Sequence, residues 1–174
     1  MRVVSGKLGG RSFQAPNLKT VHPMSEKIRG SIFSSLGDVS NLKVLDAYSG
    51  SGSLSIEAIS RGAIKSTAIE LNPKAAKQIL INLEELGINS QVKVIKAKIE
   101  SWIKTSSSTF DLVFADPPYD NKNLEVLNSL SRHLNKNGLL VLSWPGKIEL
   151  PNIENLKLIN HKIFGDAQVG FYRF

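Results

Sequence analysis

The sequence predicts a single α/β domain built on a mostly parallel sheet. Its 174 residues suffice for one sizeable core and are too few for two ordinary domains with a linker. From Lys43 onward, short apolar runs of strand length alternate with helical patterns, which is typical of repeated βαβ units. The last two β-rich runs have no helical pattern between them and predict an antiparallel hairpin at the carboxyl end. We therefore expect seven strands.

The predicted elements follow one another in a regular order. Strands are expected at residues 43–48, 66–70, 92–97, 110–115, 139–143, 156–164 and 169–174. Helices are expected at residues 54–62, 73–86 and 124–133. The middle helix has the clearest ends, because Asn72 offers a side-chain cap, Pro73 suits a first helical turn and Gly87 suits a stop. We expect a loop at residues 105–109 and the hairpin turn within residues 165–168.

A basic N-terminal extension, residues 1–42, precedes the predicted α/β unit at residues 43–174. Its first 20 residues mix apolar side chains with glycines and basic residues, which predicts a short β-structured arm. A helix with its apolar side chains on one face follows and ends before Gly37. The extension is too small for a core of its own, so we expect it to pack on the α/β unit and extend its surface.

Positive charge is concentrated near the N-terminus. The chain has 22 Lys and Arg against 15 Asp and Glu, and its first 43 residues hold seven of the basic and only two of the acidic side chains. Phosphate contacts dominate affinity for nucleic acids, so a basic segment favours a polyanionic partner. We expect Arg2, Lys7 and Arg11 of the arm to contact phosphates.

Several classes of protein are excluded by composition. The chain has no cysteine, which excludes disulfides, thiolate metal sites and cysteine nucleophiles. With only three histidines as well, we expect no metal. The N-terminal residues lack the apolar stretch of a signal peptide, and no apolar run approaches membrane length. We expect a cytoplasmic monomer that does not bind membranes.

A glycine-containing loop joins the first predicted strand to its helix. Residues 46–52 form a turn that lets a nucleotide-like ligand approach the backbone closely. Glu70 follows at the end of the second strand, where a carboxylate can accept hydrogen bonds from both ribose hydroxyls. The loop lacks the third glycine of dinucleotide-binding motifs, which favours a ligand with a ribose but no pyrophosphate, such as S-adenosylmethionine. A tight turn with an incidental surface Glu70 is the alternative.

The fourth strand ends at a second motif, Asp116-Pro-Pro-Tyr119. The exocyclic amine of a nucleobase is a poor nucleophile, because its lone pair is delocalised into the ring. The Asp116 carboxylate and the Pro117 carbonyl could accept hydrogen bonds from that amine and favour its attack on a methyl group. Tyr119 offers an aromatic face on which a base can stack. A proline turn that merely ends a strand is the alternative.

Four segments resemble the RsmD family: VLDAYSGSGSLSIEAISRGA, AIELNP, FDLVFADPPYD and FGDAQVGFYRF. The resemblance begins at MRVVSGKLGGR and covers almost the whole chain. It implies a Rossmann-like class I methyltransferase fold. It also implies methyl transfer from S-adenosylmethionine to the N2 amine of a guanine in 16S ribosomal RNA, free or within an assembling small subunit. DPPY occurs more broadly in enzymes that methylate base amino groups, so it specifies the chemistry better than the substrate.

The resemblance implies a role for each matched residue. Asp116, Pro117 and Tyr119 would be catalytic, with Asp116 also beside the cofactor. The implied cofactor residues are Asp46, Ser49, Gly50 and Gly52 on the methionine side, Glu70 at the ribose, and Leu71, Lys98 and Ile99 near the adenine. Asp or Asn is common in the family where Lys98 stands. A lysine cannot accept a hydrogen bond from the adenine amine, so we expect backbone groups to read the adenine here.

A further segment of the extension resembles the part of the family that closes over cofactor and substrate. His22, Pro23, Ser25 and Arg29 match it, and we expect His22, Ser25 and Arg29 to contact RNA together with the arm. The family usually has Arg-Pro-Thr, whereas this chain has His22 and Met24 at the first and third positions.

Two other functions stay open at this point. A DNA adenine-N6 methyltransferase would share DPPY, although such enzymes usually carry a target-recognition domain and the predicted strands use up the chain after Tyr119. A non-catalytic RNA-binding module for ribosome assembly would share the fold, although Glu70 and Asp116 are intact.

Overall fold

The computed structural model describes residues 1–18, 24–118 and 122–174. Its strands are β1 (Lys43–Asp46), β2 (Lys65–Glu70), β3 (Val92–Lys96), β4 (Phe110–Ala115), β5 (Leu134–Pro145), β6 (Lys157–Phe164) and β7 (Ala167–Arg173). Its α-helices are α1 (Glu26–Leu36), α2 (Ser53–Ser60), α3 (Pro73–Leu86), α4 (Ile99–Thr105) and α5 (Leu124–Leu130). No helix within these ranges is long and apolar enough to cross a lipid bilayer.

The seven strands form one sheet in the order β3-β2-β1-β4-β5-β7-β6. The pairs from β3 to β5 are parallel, and β7 runs antiparallel to both β5 and β6. The predicted fold class, a mostly parallel seven-stranded sheet ending in an antiparallel hairpin, is confirmed.

The ends of α3 are set by the residues that the sequence indicates. The Asn72 side chain accepts hydrogen bonds from the backbone N–H groups of Lys74 and Ala75 at 2.9 and 3.3 Å, and Pro73 is the first helical residue. Gly87 ends the helix with a φ of 72°, a conformation that favours glycine. This connection places the start of α3 beside the carboxyl end of β2.

Two elements differ from the prediction. Helix α4 was not expected, and it is too short, at seven residues, to show a clear helical period. Strand β5 begins at Leu134 instead of 139, because Leu134 pairs with Phe110 before an irregularity in the ladder brings Leu139 opposite Leu112. The polar residues between those two pairs hide this part of the strand from an apolar pattern.

Helices cover both faces of the sheet. On one face, α1, α2 and α3 pack on side chains such as Val44 and Phe114. On the other, α4 and α5 pack on side chains such as Leu45. The extension contributes Val3 and Phe33, among others, to the first of these cores, so it shares its hydrophobic core with the sheet.

Candidate active site

Three carboxylates lie at the carboxyl edge of the sheet. Asp46 ends β1, Glu70 ends β2 and Asp116 follows β4. Successive side chains of a strand alternate between its faces, so these three share the face covered by α1, α2 and α3. The strand order reverses at β1, since β2 and β3 lie on one side of β1 and β4 and β5 lie on the other. Open α/β sheets bind ligands at such a point.

The glycine loop is held tightly against β2. The Ser49 N–H donates to the Ile69 carbonyl at 2.9 Å, and the Gly52 N–H donates to the Ser49 carbonyl at 2.6 Å. Gly52 has a φ of 75°, and a Cβ added there would lie only 3.0 Å from the Ile79 side chain. The backbone conformation therefore favours glycine at this position, and a larger residue would also have to displace the Ile79 side chain slightly.

Glu70 connects this loop to the start of α3. Its two carboxylate oxygens accept hydrogen bonds from the Gly50 and Asn72 backbone N–H groups, each at 2.7 Å. The side chain is largely buried, with 9 % of the residue exposed. Each carboxylate oxygen has a second lone pair, so Glu70 can hold the loop and still accept a bond from a ligand hydroxyl.

Asp46 is buried beneath the loop, with 1 % of the residue exposed. Its Oδ2 accepts hydrogen bonds from the Ser55 backbone N–H at 3.2 Å and the Ser55 hydroxyl at 2.9 Å. Burial raises the pKa of Asp46 to about 7; the bonds from Ser55 oppose that rise, and the charges of Asp116 and Glu70 add to it. Nothing in the linear pattern relates Ser55 to a residue on β1, so this partner of Asp46 could not be predicted from sequence.

Asp116 is partly buried at the end of β4. Burial raises the pKa of its carboxyl, and a hydrogen bond from the Ser143 side chain lowers it. Ser143 lies on β5, one residue beyond the pair Ala115 and Leu142, so it stands next to Asp116 at the same edge. Sequence analysis missed Ser143 as well, since only strand pairing reveals this neighbour.

The remaining predicted site residues differ in exposure. Leu71 is 57 % exposed beside Glu70, whereas Ile99 is buried in the core with 4 % exposed. Lys98 is exposed at the N-cap of α4, and the nearby Ala97 N–H donates to the Glu70 carbonyl at 3.2 Å. The turn before α4 therefore lies beside Glu70. Pro117 is buried, and Tyr119 lies outside the described residues.

Arg29 does not fit the predicted contact with RNA. Its side chain is completely buried and pairs with Glu57 of α2, with Nε 3.3 Å from Oε2. It also donates to the backbone carbonyls of Met24 and Arg2. With its guanidinium enclosed in this way, Arg29 has no surface for a phosphate, and we correct the prediction to a structural role.

Two other basic residues of the arm lie near the amino-terminal ends of the parallel strands, opposite the edge that carries the three carboxylates. The Lys7 Nζ donates to the Gln91 side chain just before β3, at 2.9 Å. Arg11 donates to the carbonyls of Leu86 and Glu85 at the end of α3, at 3.0 and 2.7 Å. Strand β2 separates this edge from Glu70 by six residues, or about 20 Å. The structure therefore does not bring Lys7 or Arg11 to the three carboxylates.

The other residues of the extension that were predicted to contact RNA lie in different environments. Arg2 is exposed and pairs with Glu26 at 3.3 Å. Ser25 is the N-cap of α1, where its hydroxyl oxygen accepts a bond from the Ile28 N–H at 3.2 Å. His22 and Pro23 lie outside the described residues.

Comparisons with known proteins bear on this arrangement. A family model described as Conserved hypothetical protein 95 matches residues 1–173. The "Ribosomal RNA small subunit methyltransferase D" of Buchnera aphidicola is 31 % identical, over 98 % of this chain and 91 % of that protein. The chain belongs to the RsmD family. The family resemblance of the sequence motifs is thereby confirmed.

Solved structures agree with the fold of this RsmD-family chain. The "Putative methyltransferase yhhF" of Escherichia coli superposes with a TM-score of 0.89 at 26 % identity, covering 99 % of this chain and 96 % of that one. An RNA methyltransferase of Salinibacter ruber, solved with S-adenosyl-L-homocysteine, has a TM-score of 0.68 at 18 % identity, with 86 % and 92 % covered. That second likeness concerns the fold alone. Together with the first, it agrees with the predicted class I methyltransferase fold.

Proposed function

We propose that the protein transfers a methyl group from S-adenosylmethionine to the N2 amine of a guanine in 16S ribosomal RNA. One observation carries the proposal: Asp116 lies at the same edge and on the same face of the sheet as the glycine loop and Glu70. A base amine held at Asp116 would thus meet a cofactor held at Glu70. The names of the relatives support ribosomal RNA as the substrate class.

The residues at this edge fit S-adenosylmethionine. Glu70 has lone pairs left for ribose hydroxyls, and the backbone of the neighbouring Gly50 is partly exposed. The exposed Leu71 offers an apolar surface for an adenine ring. When bound, the cofactor supplies an electrophilic methyl group on a positively charged sulfonium, and the carboxylates at this edge complement that charge.

Asp116 and Pro117 act on the nucleophile. The ionised Asp116 carboxylate and the Pro117 carbonyl accept hydrogen bonds from the guanine N2 amine and orient its lone pair toward the methyl group. Prolines at 117 and 118 carry no N–H and stiffen the turn, so the carbonyl stays directed at the amine. Tyr119 stacks on the base drawn from its helix. The amine so oriented would form a bond to the methyl carbon as the carbon–sulfur bond breaks, and it would release one proton to solvent.

The substrate would be naked 16S RNA or an assembling small subunit, bound by a protein monomer. The decisive experiment offers cofactor with a labelled methyl group to naked 16S RNA, assembled small subunits and duplex DNA, followed by identification of the modified nucleoside. We expect N2-methylguanosine from one of the RNA substrates. N6-methyladenine in DNA would instead identify a DNA methyltransferase, and binding of RNA without any transfer would identify an assembly module.

A substitution separates catalysis from binding. Asp116→Ala is expected to abolish methyl transfer while S-adenosyl-L-homocysteine still binds, because the amine loses its acceptor. Asp38→Ala, at an exposed aspartate beyond the end of α1, is the matched control and should retain full activity. Full activity of Asp116→Ala would refute the catalytic assignment.

A further inference from the structure

We propose that Asp46 is a positioning residue that fixes the glycine loop from below, through the first turn of α2. This inference rests on the proposed function, since it concerns how the same site is held. Asp46 is buried, with 1 % of the residue exposed, and its Oδ2 is engaged by the protein itself. Both hydrogen bonds to that oxygen come from Ser55, on the helix that the loop begins.

The start of α2 needs such a partner. Its N-cap is Gly52, which has no side chain to accept a bond from the free N–H groups of the first turn. Asp46 supplies that acceptor from β1, because its Oδ2 receives the N–H of Ser55, the third residue of the helix. A negative charge is also favoured at the positive end of a helix dipole. The ionised Asp46 therefore ties the first turn of α2 to the sheet.

A buried chain of hydroxyl groups extends this contact to β2. The Ser66 hydroxyl donates to the Ser55 hydroxyl at 2.9 Å, which in turn donates to Asp46 at 2.9 Å. Ser55 is fully buried and Ser66 is 2 % exposed. Because β1, α2 and β2 meet through these three side chains, the loop between β1 and α2 has little freedom to move.

Protonation of Asp46 should loosen the loop, since a neutral carboxyl accepts hydrogen bonds less strongly than a carboxylate. Its pKa of about 7 places this change near neutral pH. The charged groups that face Asp46 are Glu70 and Asp116, and both are acidic. Arg29 and Arg61, cations of the same layer, are paired with Glu57 farther along α2.

The test is the affinity for S-adenosyl-L-homocysteine, measured by calorimetry from pH 5.5 to 8.5. In the wild type we expect affinity to fall as the pH drops below about 7, as Asp46 takes up a proton. Ser55→Ala removes a donor to the carboxylate, so it should weaken binding about tenfold and begin the fall at a higher pH. Asp46→Asn should bind weakly and lack this component of the pH dependence. The ligand's own titration is common to all variants and cancels in their comparison.

Three further variants separate positioning from general damage. Ser55→Thr keeps the hydroxyl and should restore the wild-type pH profile. Ser66→Ala should weaken binding by less than Ser55→Ala does, because it acts one bond farther away. Ser53→Ala, at another buried serine of α2 outside this chain of bonds, should bind within twofold of the wild type.

The outcomes distinguish this inference from the proposed function. If Ser55→Ala binds like the wild type, or is weakened by a factor that does not change with pH, the positioning role of Asp46 is wrong. In that case the wild type would still bind cofactor and methylate RNA. If the wild type binds no S-adenosyl-L-homocysteine, the proposed function itself is wrong.

Discussion

Arg29 and Glu57 form a completely buried ion pair between α1 and α2. Glu57 also accepts bonds from the backbone N–H groups of Val4 and Ser5, at 2.8 and 3.0 Å, and from Arg61 at 2.7 Å. A single carboxylate thus joins the arm and α1 to the helix that begins at the glycine loop. This explains how an extension too short for its own core becomes part of the catalytic unit.

Removing one partner of this pair should strongly destabilise the protein. Glu57→Gln leaves Arg29 buried without a counter-charge, which we expect to lower the free energy of unfolding by about 3–5 kcal/mol. Denaturation in urea measures the loss. Arg2→Ala, which breaks the exposed pair with Glu26, should cost at most about 1 kcal/mol. Equal losses in the two variants would contradict the role given to burial.

Ser143 should set the lower pH limit of activity through Asp116. In the proposed mechanism the ionised Asp116 carboxylate accepts bonds from the amine, and a neutral carboxyl accepts them less strongly, so we expect activity to be lost as the pH falls through its pKa. Ser143→Ala removes a bond that lowers this pKa. We therefore expect the acid limb of the kcat profile to move to higher pH, with cofactor affinity little changed. Ser143→Thr keeps the hydroxyl and should behave like the wild type; an unmoved acid limb in Ser143→Ala would contradict the contact.

Glu70 should be needed for cofactor binding because it holds the glycine loop and because it can accept bonds from the ribose hydroxyls. Glu70→Gln replaces one acceptor oxygen by an amide NH2, which opposes the N–H of Gly50 or Asn72 and disturbs the loop. We expect the affinity for S-adenosyl-L-homocysteine to fall at least about tenfold, since bonds to a charged group are involved. Calorimetry measures this, with the exposed Glu84→Gln on α3 as the control. Unchanged affinity would mean that Glu70 faces no ligand.

The position of Lys7 predicts a dependence on substrate size. If Lys7 contacts a phosphate, the RNA must reach the amino edge of the sheet, about 20 Å from Glu70. Lys7→Ala should then reduce the salt slope of binding to the full RNA substrate by about 0.7–0.9. It should not affect methylation of a short fragment that contains the modified guanine. If the wild type and Lys7→Ala have the same salt slope on the full substrate, the RNA does not contact Lys7.

Much of the fold and the location of the site could be predicted from local sequence. Asn72 and Gly87 cap the two ends of α3 and lie next to the residues whose backbone they cap. The prolines after Asp116 end a strand directly. The short apolar runs that form β1, β2 and β4 are also a local property. Such features need no knowledge of distant contacts.

The sequence by itself therefore determined the α/β architecture, the family and the motifs at Gly50, Glu70 and Asp116. Only the tertiary structure decided what Arg29, Ser55 and Ser143 do. Arg29 has the charge of a phosphate-binding residue, yet Glu57, 28 residues away, encloses it in the core. Whether a side chain is buried, and which group it pairs with, depends on which helices and strands pack together. Side chains brought together from different strands and helices thus acquire roles that linear spacing does not encode.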